Sequence, residues 1–448
     1  MFFFRRSRQL KPTIIPREEH AISRKNIDGD ALKVLYRLSE HNHEAYLVGG
    51  SVRDLLLGRT PKDFDVGTDA RPNEIRREFR NCFLVGRRFR LAHIVFGKKV
   101  IETATFRKAP DAQAVADEHG LYQSEDNTFG TPQEDALRRD FTVNGLFYDI
   151  KTFAIIDYVG GLKDLKAKLI RSIGDPAIRF QEDPVRMMRA VRFAAKLDFE
   201  ICPNDWKAIR RYAPTIANAS VSRLCEEIQR LFVRGASERS LHLAYDSGLL
   251  SALLPELSAW IAASSAHAAA LWASLKALDE LSRETEAEIT PAISFAALYW
   301  PLAAERLKGS RATEKRGNER YARRQAAETV LSAVVQKYRL PRAVWMTAAD
   351  IIELATRFAQ KPNSEASRDL RLLNHVLFPE LLLGAKLLAK VGSIPGDCLA
   401  EWERAYGEFG PPSRLPEGHT LPNRPNPHRR RVRRRPRRRE KEATHAAS

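Results

Sequence analysis

The spacing of hydrophobic and polar positions divides the chain into two parts with different periodicities. Between residues 26 and 157, short runs of β-type residues alternate with amphipathic helical stretches. Residues 44–50 and 63–68 are predicted strands, and residues 91–107 are predicted to form two strands joined at Gly97-Lys98. This alternation predicts an α+β domain built on a mixed sheet with helices.

The second part has the periodicity of packed helices. After Asp183 the sequence is rich in Ala, Leu and Arg at helical spacing, and it continues in this way to about Phe409, which predicts an all-α body. Residues 108–135 are polar and are predicted to form a mobile loop. The predicted organisation is a basic N-terminal arm (1–25), a head (26–157), a neck of helices (158–235), a helical body (236–410) and a disordered Pro- and Arg-rich tail (411–448).

Charge points to a polyanionic partner. The 448 residues carry a formal net charge of +18, of which residues 428–448 contribute +8, so the rest of the chain is also basic. Four well-separated cysteines, with no metal-ligand spacing, predict free thiols in a reducing compartment. Neither a signal peptide nor a transmembrane segment is predicted, so we expect a soluble cytoplasmic protein.

The candidate chemistry begins at a glycine-rich turn followed by two aspartates. Gly49 and Gly50, with Ser51 after them, precede a predicted helix, and such glycines let a phosphate approach the backbone closely. Asp63 and Asp65 lie two residues apart in a predicted strand, so both carboxylates project from one face. A Mg²⁺ ion would offset their repulsion. A solvated turn after Thr60-Pro61 is the alternative interpretation of the aspartates.

A third carboxylate is usual for two-metal sites, and the sequence offers two. Asp140 follows Arg138-Arg139, which could hold a triphosphate or a ribose, and for this reason it is preferred. Glu102, in another predicted strand, is the competitor. A structural salt bridge would explain either residue alone.

Residues 179–197 predict a helix whose first turn carries unusual charges. Asp183 before Pro184 predicts an N-cap with proline at the first helical position. Arg186, Arg189 and Arg192 recur every three residues, and cations near a helix start are disfavoured by the helix dipole. We therefore expect an anionic or hydrogen-bonding group to face them, and a carboxylate and a guanidinium together can recognise the edge of a base.

Four ordered motifs, at 47–58, 62–66, 138–146 and 182–197, together resemble the class II branch of the polymerase-beta-like nucleotidyltransferases. That branch contains bacterial poly(A) polymerases and the enzymes that add CCA to tRNA. The resemblance covers roughly residues 45–240 and implies attack by an RNA 3′-hydroxyl on the α-phosphate of ATP, with release of pyrophosphate. Mg²⁺, with Mn²⁺ as an alternative, is the implied cofactor. The implied site residues are Asp63, Asp65 and Asp140 as catalytic carboxylates, the first two binding metal, and Gly49, Gly50, Ser51, Arg53, Arg139, Glu182, Asp183 and Arg186 as nucleotide-binding residues.

Two further stretches of the sequence favour the poly(A) polymerases over the CCA-adding enzymes. Residues 83–97 and the arginine-dense tail resemble the poly(A) polymerases of Gram-negative bacteria, which implies mRNA polyadenylation that promotes decay, with the RNA-decay machinery as a candidate partner that the sequence does not show. A CCA-adding enzyme is the alternative within the class, and an RNA-binding protein with a degenerate transferase head is the alternative outside it. Trp300, Trp345 and Trp402 are assigned to the packed core rather than to base stacking.

Overall fold

The computed structural model describes residues 11–86, 90–108, 129–232, 235–311, 319–363 and 366–410, and side-chain exposure is described for all of these except 308–311, 319 and 320. The tail and most of the polar loop predicted over 108–135 lie outside the described residues. The head is an eight-stranded mixed sheet of order β1-β8-β7-β2-β3-β6-β5-β4. Its strands are β1 Thr13–Ile15, β2 Ala45–Val48, β3 Asp65–Thr68, β4 Cys82–Val85, β5 Leu91–Phe96, β6 Lys99–Thr105, β7 Leu146–Asp149 and β8 Ile155–Asp157.

One face of the sheet is covered by helices and belongs to the main core. The head's helices are α1 Gly29–Glu40, α2 Gly50–Leu56, α3 Pro72–Glu78, α4 Pro132–Arg138 and α5 Gly161–Lys166. Val34, Leu35 and Leu38 of α1 are fully buried against this face, as their helical spacing dictates. The other face carries a smaller apolar cluster of Val48, Phe106, Ala136 and Phe147, and the candidate site lies beside it.

The remainder is helical, apart from a two-stranded parallel sheet of β9 Leu169–Ile170 and β10 Glu200–Ile201. The helices that follow the head are α6 Pro176–Glu182, α7 Val185–Leu197, α8 Pro203–Tyr212, α9 Val221–Leu231, α10 Ser237–Asp246, α11 Leu249–Leu253, α12 Pro255–Ala263, α13 Ser265–Glu284, α14 Pro291–Arg311, α15 Glu319–Tyr338, α16 Arg342–Phe358, α17 Ser367–Leu373, α18 Phe378–Lys390 and α19 Gly396–Phe409. Short 3₁₀ turns occupy Arg17–Glu19, Arg24–Asn26, Thr142–Asn144 and Ala213–Asn218. The predicted all-α character of this part is confirmed.

Two local predictions are wrong. The predicted loose arm contains β1, which adds to the sheet edge because Thr13 to Ile15 pair antiparallel with β8. The predicted loop over 108–135 contains the start of α4, where Thr131 and Glu134 form a reciprocal capping box around Pro132. The capping residues of α4 can be recognised in the sequence. β1 cannot be recognised locally, because it is three residues long and its partner strand lies about 140 residues away.

The thiol and tryptophan predictions are confirmed where the structure tests them. All four cysteines are free, and Cys82, Cys202 and Cys398 are buried. Trp300 and Trp402 are buried, and Trp345 packs against the main core. Among the described residues, no single helix has the length and apolarity to cross a membrane, although α17 and α18, bent by 98° at their break, pass that test as a pair.

Candidate active site

A cavity of about 810 Å³ lies where the second face of the sheet meets α7, α9 and the start of α10. Its walls bring together residues as far apart in the sequence as Gly49 and Ser240. The predicted site residues that line it are Gly49, Gly50, Arg53, Asp63, Asp65, Arg139, Asp140, Asp183 and Arg186. The cavity therefore contains the aspartate pair, the glycine turn and the start of α7 in one volume.

The aspartate pair stands at the entry to β3. The strand begins at Asp65, so Asp63 lies two residues before it rather than inside it, while Phe64 packs against the main core on the other side. Within the described chain, neither carboxylate makes a hydrogen bond or an ion pair. Burial in the cavity wall raises the pKa of Asp65 to about 6, with Glu102 and Asp63 adding to the shift and Arg139 opposing it. Binding a cation would therefore offset the repulsion between the two carboxylates.

The structure changes the ranking of the third carboxylate. β3 and β6 are parallel, with Val66 opposite Thr103, so Asp65 and Glu102 are neighbours on one face of the sheet. Glu102 is also the charge with the largest effect on the pKa of Asp65. In the part of the chain that the structure describes, no group of three His, Cys, Asp or Glu residues is close enough to ligate one ion. Glu102, which the sequence analysis ranked second, is thus the acidic neighbour of the pair.

The glycine turn is shaped for close approach. Gly49 has φ 74° and ψ −132°, a conformation that side-chain-bearing residues rarely adopt. A Cβ added at this position would lie 2.8 Å from Nη1 of Arg139. Arg139 itself donates to Oδ2 of Asp135, at 2.9 and 3.1 Å, and to the carbonyl oxygen of Asn144. Gly49 thereby lets the Arg139 guanidinium sit directly over the turn.

Replacing Gly49 by alanine should raise KM for ATP, the substrate that the sequence resemblance implies, about tenfold or more, because the new methyl group displaces Arg139 from the turn. Gly58→Ala is the matched control: Gly58 also has a positive φ of 68°, but its added Cβ would meet nothing within 4 Å. Steady-state kinetics with varied ATP compare the two variants. If both variants raised KM for ATP equally, the expectation would be contradicted. The strain of placing alanine at a positive φ, which is common to both positions, would then explain the effect without Arg139.

Two residues predicted for the phosphate-binding turn have other contacts. Ser51 is buried and donates its hydroxyl to the carbonyl oxygen of Val48 at 3.1 Å, so the structure does not bring this side chain into the cavity. Arg53 borders the cavity but is buried, and it donates to Oδ1 of Asp54 at 2.7 and 2.9 Å and to Oδ1 of Asn144. Arg53 therefore supports the wall through Asn144.

Asp140 joins the head to the neck helices. Its Oδ2 accepts from Nε and Nη2 of Arg189 at 2.9 and 2.6 Å, and its Oδ1 accepts from Nδ2 of Asn144 at 3.0 Å and from the Phe141 N–H at 2.8 Å. Burial would raise the pKa of Asp140, but Arg189 and these hydrogen bonds outweigh it and hold the pKa below its usual value. Arg189 continues to buried Glu227 on α9, which also accepts from Arg192 at 2.9 Å.

The start of α7 places the second predicted pair. Asp183 accepts from the Val185 N–H at 3.3 Å and Pro184 has helical dihedral angles, so Asp183 caps the helix as the sequence indicated. Both its carboxylate oxygens also accept from Arg223 of α9, at 2.9 and 2.8 Å. Arg186 donates to the Arg179 carbonyl oxygen at 3.0 Å and to Oε2 of Glu182 at 3.1 Å.

The sequence analysis did not single out three residues of this site. Asn144 links Arg53 to Asp140, Glu227 links Arg189 to Arg192, and Arg223 donates to Asp183. Glu182 does not line the cavity, and its contribution is through Arg186. Only the fold, which brings α9 against α7, shows these links.

This fold and this cavity define a nucleotidyltransferase of the polymerase-beta-like class. Residues 45–171 match the family model described as "Poly A polymerase head domain". Residues 198–261 match the model described as "Probable RNA and SrmB- binding site of polymerase A".

Curated relatives specify the family. Poly(A) polymerase I of Salmonella typhimurium is 40% identical over 441 residues, covering 96% of this chain and 94% of the relative. Poly(A) polymerase I of Haemophilus influenzae is 38% identical over 411 residues, covering 89% of each. The chain belongs to the poly(A) polymerase family, which confirms the resemblance seen in the sequence.

CCA-adding enzymes are related over a smaller part of the sequence. The CCA-adding enzyme of Geobacillus stearothermophilus is 37% identical over 230 residues, which is 51% of this chain and 55% of the relative. The crystal structure of the Bacillus stearothermophilus CCA-adding enzyme in complex with CTP has a TM-score of 0.60 and 27% identity, covering 84% of this chain and 82% of that one. The two groups share the fold, and the predicted fold class is confirmed.

Proposed function

We propose that this protein is a template-independent polynucleotide adenylyltransferase that adds AMP from ATP to RNA 3′ ends. The observation that carries the proposal is a cavity whose lining joins Asp63 and Asp65, which have no hydrogen-bond partner among the described residues, to Asp183 and Arg186. Poly(A) polymerase I relatives match the chain over nearly its whole length, whereas CCA-adding relatives match about half of it. This difference favours adenylate addition over CCA addition.

Asp63 and Asp65 fit a magnesium site, with Mn²⁺ as an alternative ion. Two neighbouring carboxylates that make no hydrogen bond or ion pair within the described chain supply the oxygen ligands that hard divalent cations prefer, and desolvation, with the negative charges of Glu102 and Asp63, raises the pKa of Asp65. When bound, such ions help deprotonate an attacking hydroxyl and neutralise a leaving pyrophosphate. The transfer forms a bond between the RNA 3′-oxygen and the α-phosphorus, while the bond from that phosphorus to the β-phosphate oxygen breaks.

The nucleotide is held from two sides. Arg139, with Gly49 and Gly50, lies beside the aspartates and is positioned to neutralise the phosphates. At the other side, the Asp183 carboxylate can accept from the adenine N6 amino group, and the Arg186 guanidinium can donate to a ring nitrogen. Arg223 fixes the plane of the Asp183 carboxylate by bonding both its oxygens.

Asp140 is assigned a positioning role at the ribose end. Its hydrogen bonds with Arg189, Asn144 and the Phe141 N–H tie the sheet domain to α7 between the phosphate and base sides. The proposed cellular setting is the cytoplasm, where free thiols persist, and the proposed RNA substrates are mRNA and other transcripts whose polyadenylation promotes decay.

The experiment is to incubate the purified protein with a random-sequence RNA, Mg²⁺ and each nucleoside triphosphate separately. We expect ATP alone to lengthen the RNA by many nucleotides. If ATP does not lengthen it, or CTP works equally well, the proposal fails. A CCA-adding enzyme would instead extend only tRNA-like ends, with two C and one A, and then stop.

A further inference from the structure

A row of side chains leads from the aspartate pair across the sheet to an exposed apolar patch. Directly opposed residues place Asp65, Glu102, His93 and Phe83 in one row running from β3 through β6 and β5 to β4. Phe83 is 63% exposed at the end of this row. Val85 and Val100, on the same face of the sheet, are 45% and 43% exposed, so this face carries an apolar patch. We call this surface, defined by Phe83, Val85, His93 and Val100, the β4–β6 face.

Helices pack these three strands from the opposite side only, as far as the described residues show. Cys82, Ala92, Ile94 and Ile101, which alternate with the exposed positions, are buried in the main core under α1 and α3. A cluster of exposed apolar side chains on the sheet face that carries Asp65 indicates a binding surface, because burying these side chains would otherwise stabilise the fold.

The geometry of phosphoryl transfer indicates which reactant uses this face. β3 has β2, which ends at Val48 just before Gly49, on one side and β6 on the other. The phosphate groups of ATP lie on the Gly49 side, where Arg139 is held, in the function proposed above. Attacking and leaving oxygens are roughly in line across the reacting phosphorus, so the RNA 3′-hydroxyl approaches from the β6 side.

We propose that the β4–β6 face binds the last nucleotides of the RNA substrate and that Phe83 stacks on one of their bases. Phe83 lies three strands from Asp65, about 14 Å at the usual strand separation, which two to four nucleotides can span. Arg90 and Lys98, which are exposed at the two ends of β5, supply cations for the phosphates. Stacking on an aromatic ring is independent of base identity, as a polymerase acting on varied transcripts requires. This inference rests on the proposed function.

The first test compares RNA dissociation constants without ATP, using a single-stranded oligonucleotide. Phe83→Ala should weaken RNA binding about 5- to 150-fold, the range expected for loss of one base–aromatic stack, whereas Phe83→Trp should retain it. Ile14→Ala is the matched control, because Ile14 is 59% exposed on β1 at the other edge of the same sheet. KM for ATP should stay unchanged in all three variants.

The second test places one abasic nucleotide at successive positions from the RNA 3′ end. At one of the positions two to four nucleotides from the end, the abasic substitution should weaken binding to the wild type but not to Phe83→Ala, since both changes remove the same stack. Equal RNA affinity of Phe83→Ala and the wild type would overturn the inference. It would also be overturned if, at every position, the losses of affinity from the abasic nucleotide and from Phe83→Ala were additive. A dimer that Phe83→Ala dissociates would assign the face to a second copy of the chain. Extension of RNA by ATP in the wild type, measured separately, decides the proposed function.

Discussion

Asp63→Asn is expected to lower the turnover number for AMP transfer by about a thousandfold or more, while RNA affinity stays nearly unchanged. A carboxylate pair that holds catalytic ions contributes several kcal/mol to the transition state, and about 4 kcal/mol corresponds to three decades in rate. Asparagine has nearly the same shape but removes the charge that binds the cation. RNA affinity is expected to persist because the β4–β6 face and the basic surfaces do not depend on Asp63.

Asp69→Asn is the matched control for this experiment. Asp69 follows the opposite end of β3 and its Oδ1 accepts from the Glu44 N–H at 2.9 Å, a bond that an asparagine oxygen can also accept. Single-turnover rates and RNA dissociation constants should therefore be close to wild type. Loss of RNA binding with a normal rate in Asp63→Asn would contradict the assignment of the pair to catalysis.

Arg189→Ala is expected to destabilise the protein by about 3–5 kcal/mol, because it leaves two buried carboxylates without their shared cation. Those carboxylates belong to Asp140 in the head and Glu227 on α9. Urea unfolding of the full chain measures the effect. Lys386→Ala, which breaks an exposed ion pair with Glu403, should cost less than about 1 kcal/mol and serves as the control.

The effect of Arg189→Ala should also depend on pH in a defined direction. The pKa of Asp140 is depressed in the folded protein, so its ionised form contributes stability above the ordinary carboxyl pKa of about 3.9, and this contribution is lost as the pH falls through the folded pKa. Without Arg189, burial favours the protonated Asp140. The difference in unfolding free energy between wild type and variant should therefore narrow as the pH falls from 7 towards 4. A constant or widening difference would contradict the role of Arg189.

The sequence predicts those parts of the site that depend on local pattern. The glycine turn precedes a helix, Asp63 and Asp65 are separated by the core-facing Phe64, and Asp183 caps α7, as spacing alone indicated. Local pattern does not give the direction of each side chain. Ser51 has the residue type of a phosphate ligand, yet it lies one residue inside α2 and turns back to the Val48 carbonyl group.

Features that depend on long-range pairing were not predictable in this way. Glu102 becomes the neighbour of Asp65 only through the parallel pairing of β3 and β6, and a parallel register leaves no signature in either strand. Arg189 reaches Asp140 across 49 positions, and Arg223 reaches Asp183 across 40. Phe83 was noted within a family-like stretch, but its exposure follows from its place on the face of the sheet that no described helix covers.

The ionic connection from Asp140 through Arg189 to Glu227 has a consequence for substrate choice. The groups assigned to the phosphates belong to the sheet domain, whereas Asp183 and Arg186, assigned to the base, belong to the neck. Adenine and cytosine both offer an amino donor beside a ring acceptor, so they differ mainly in how far that edge lies from the sugar. On these assignments, the preference for a purine depends on the distance between the sheet domain and the neck. Exchanging individual base-contacting side chains would weaken turnover without converting the enzyme to a pyrimidine substrate.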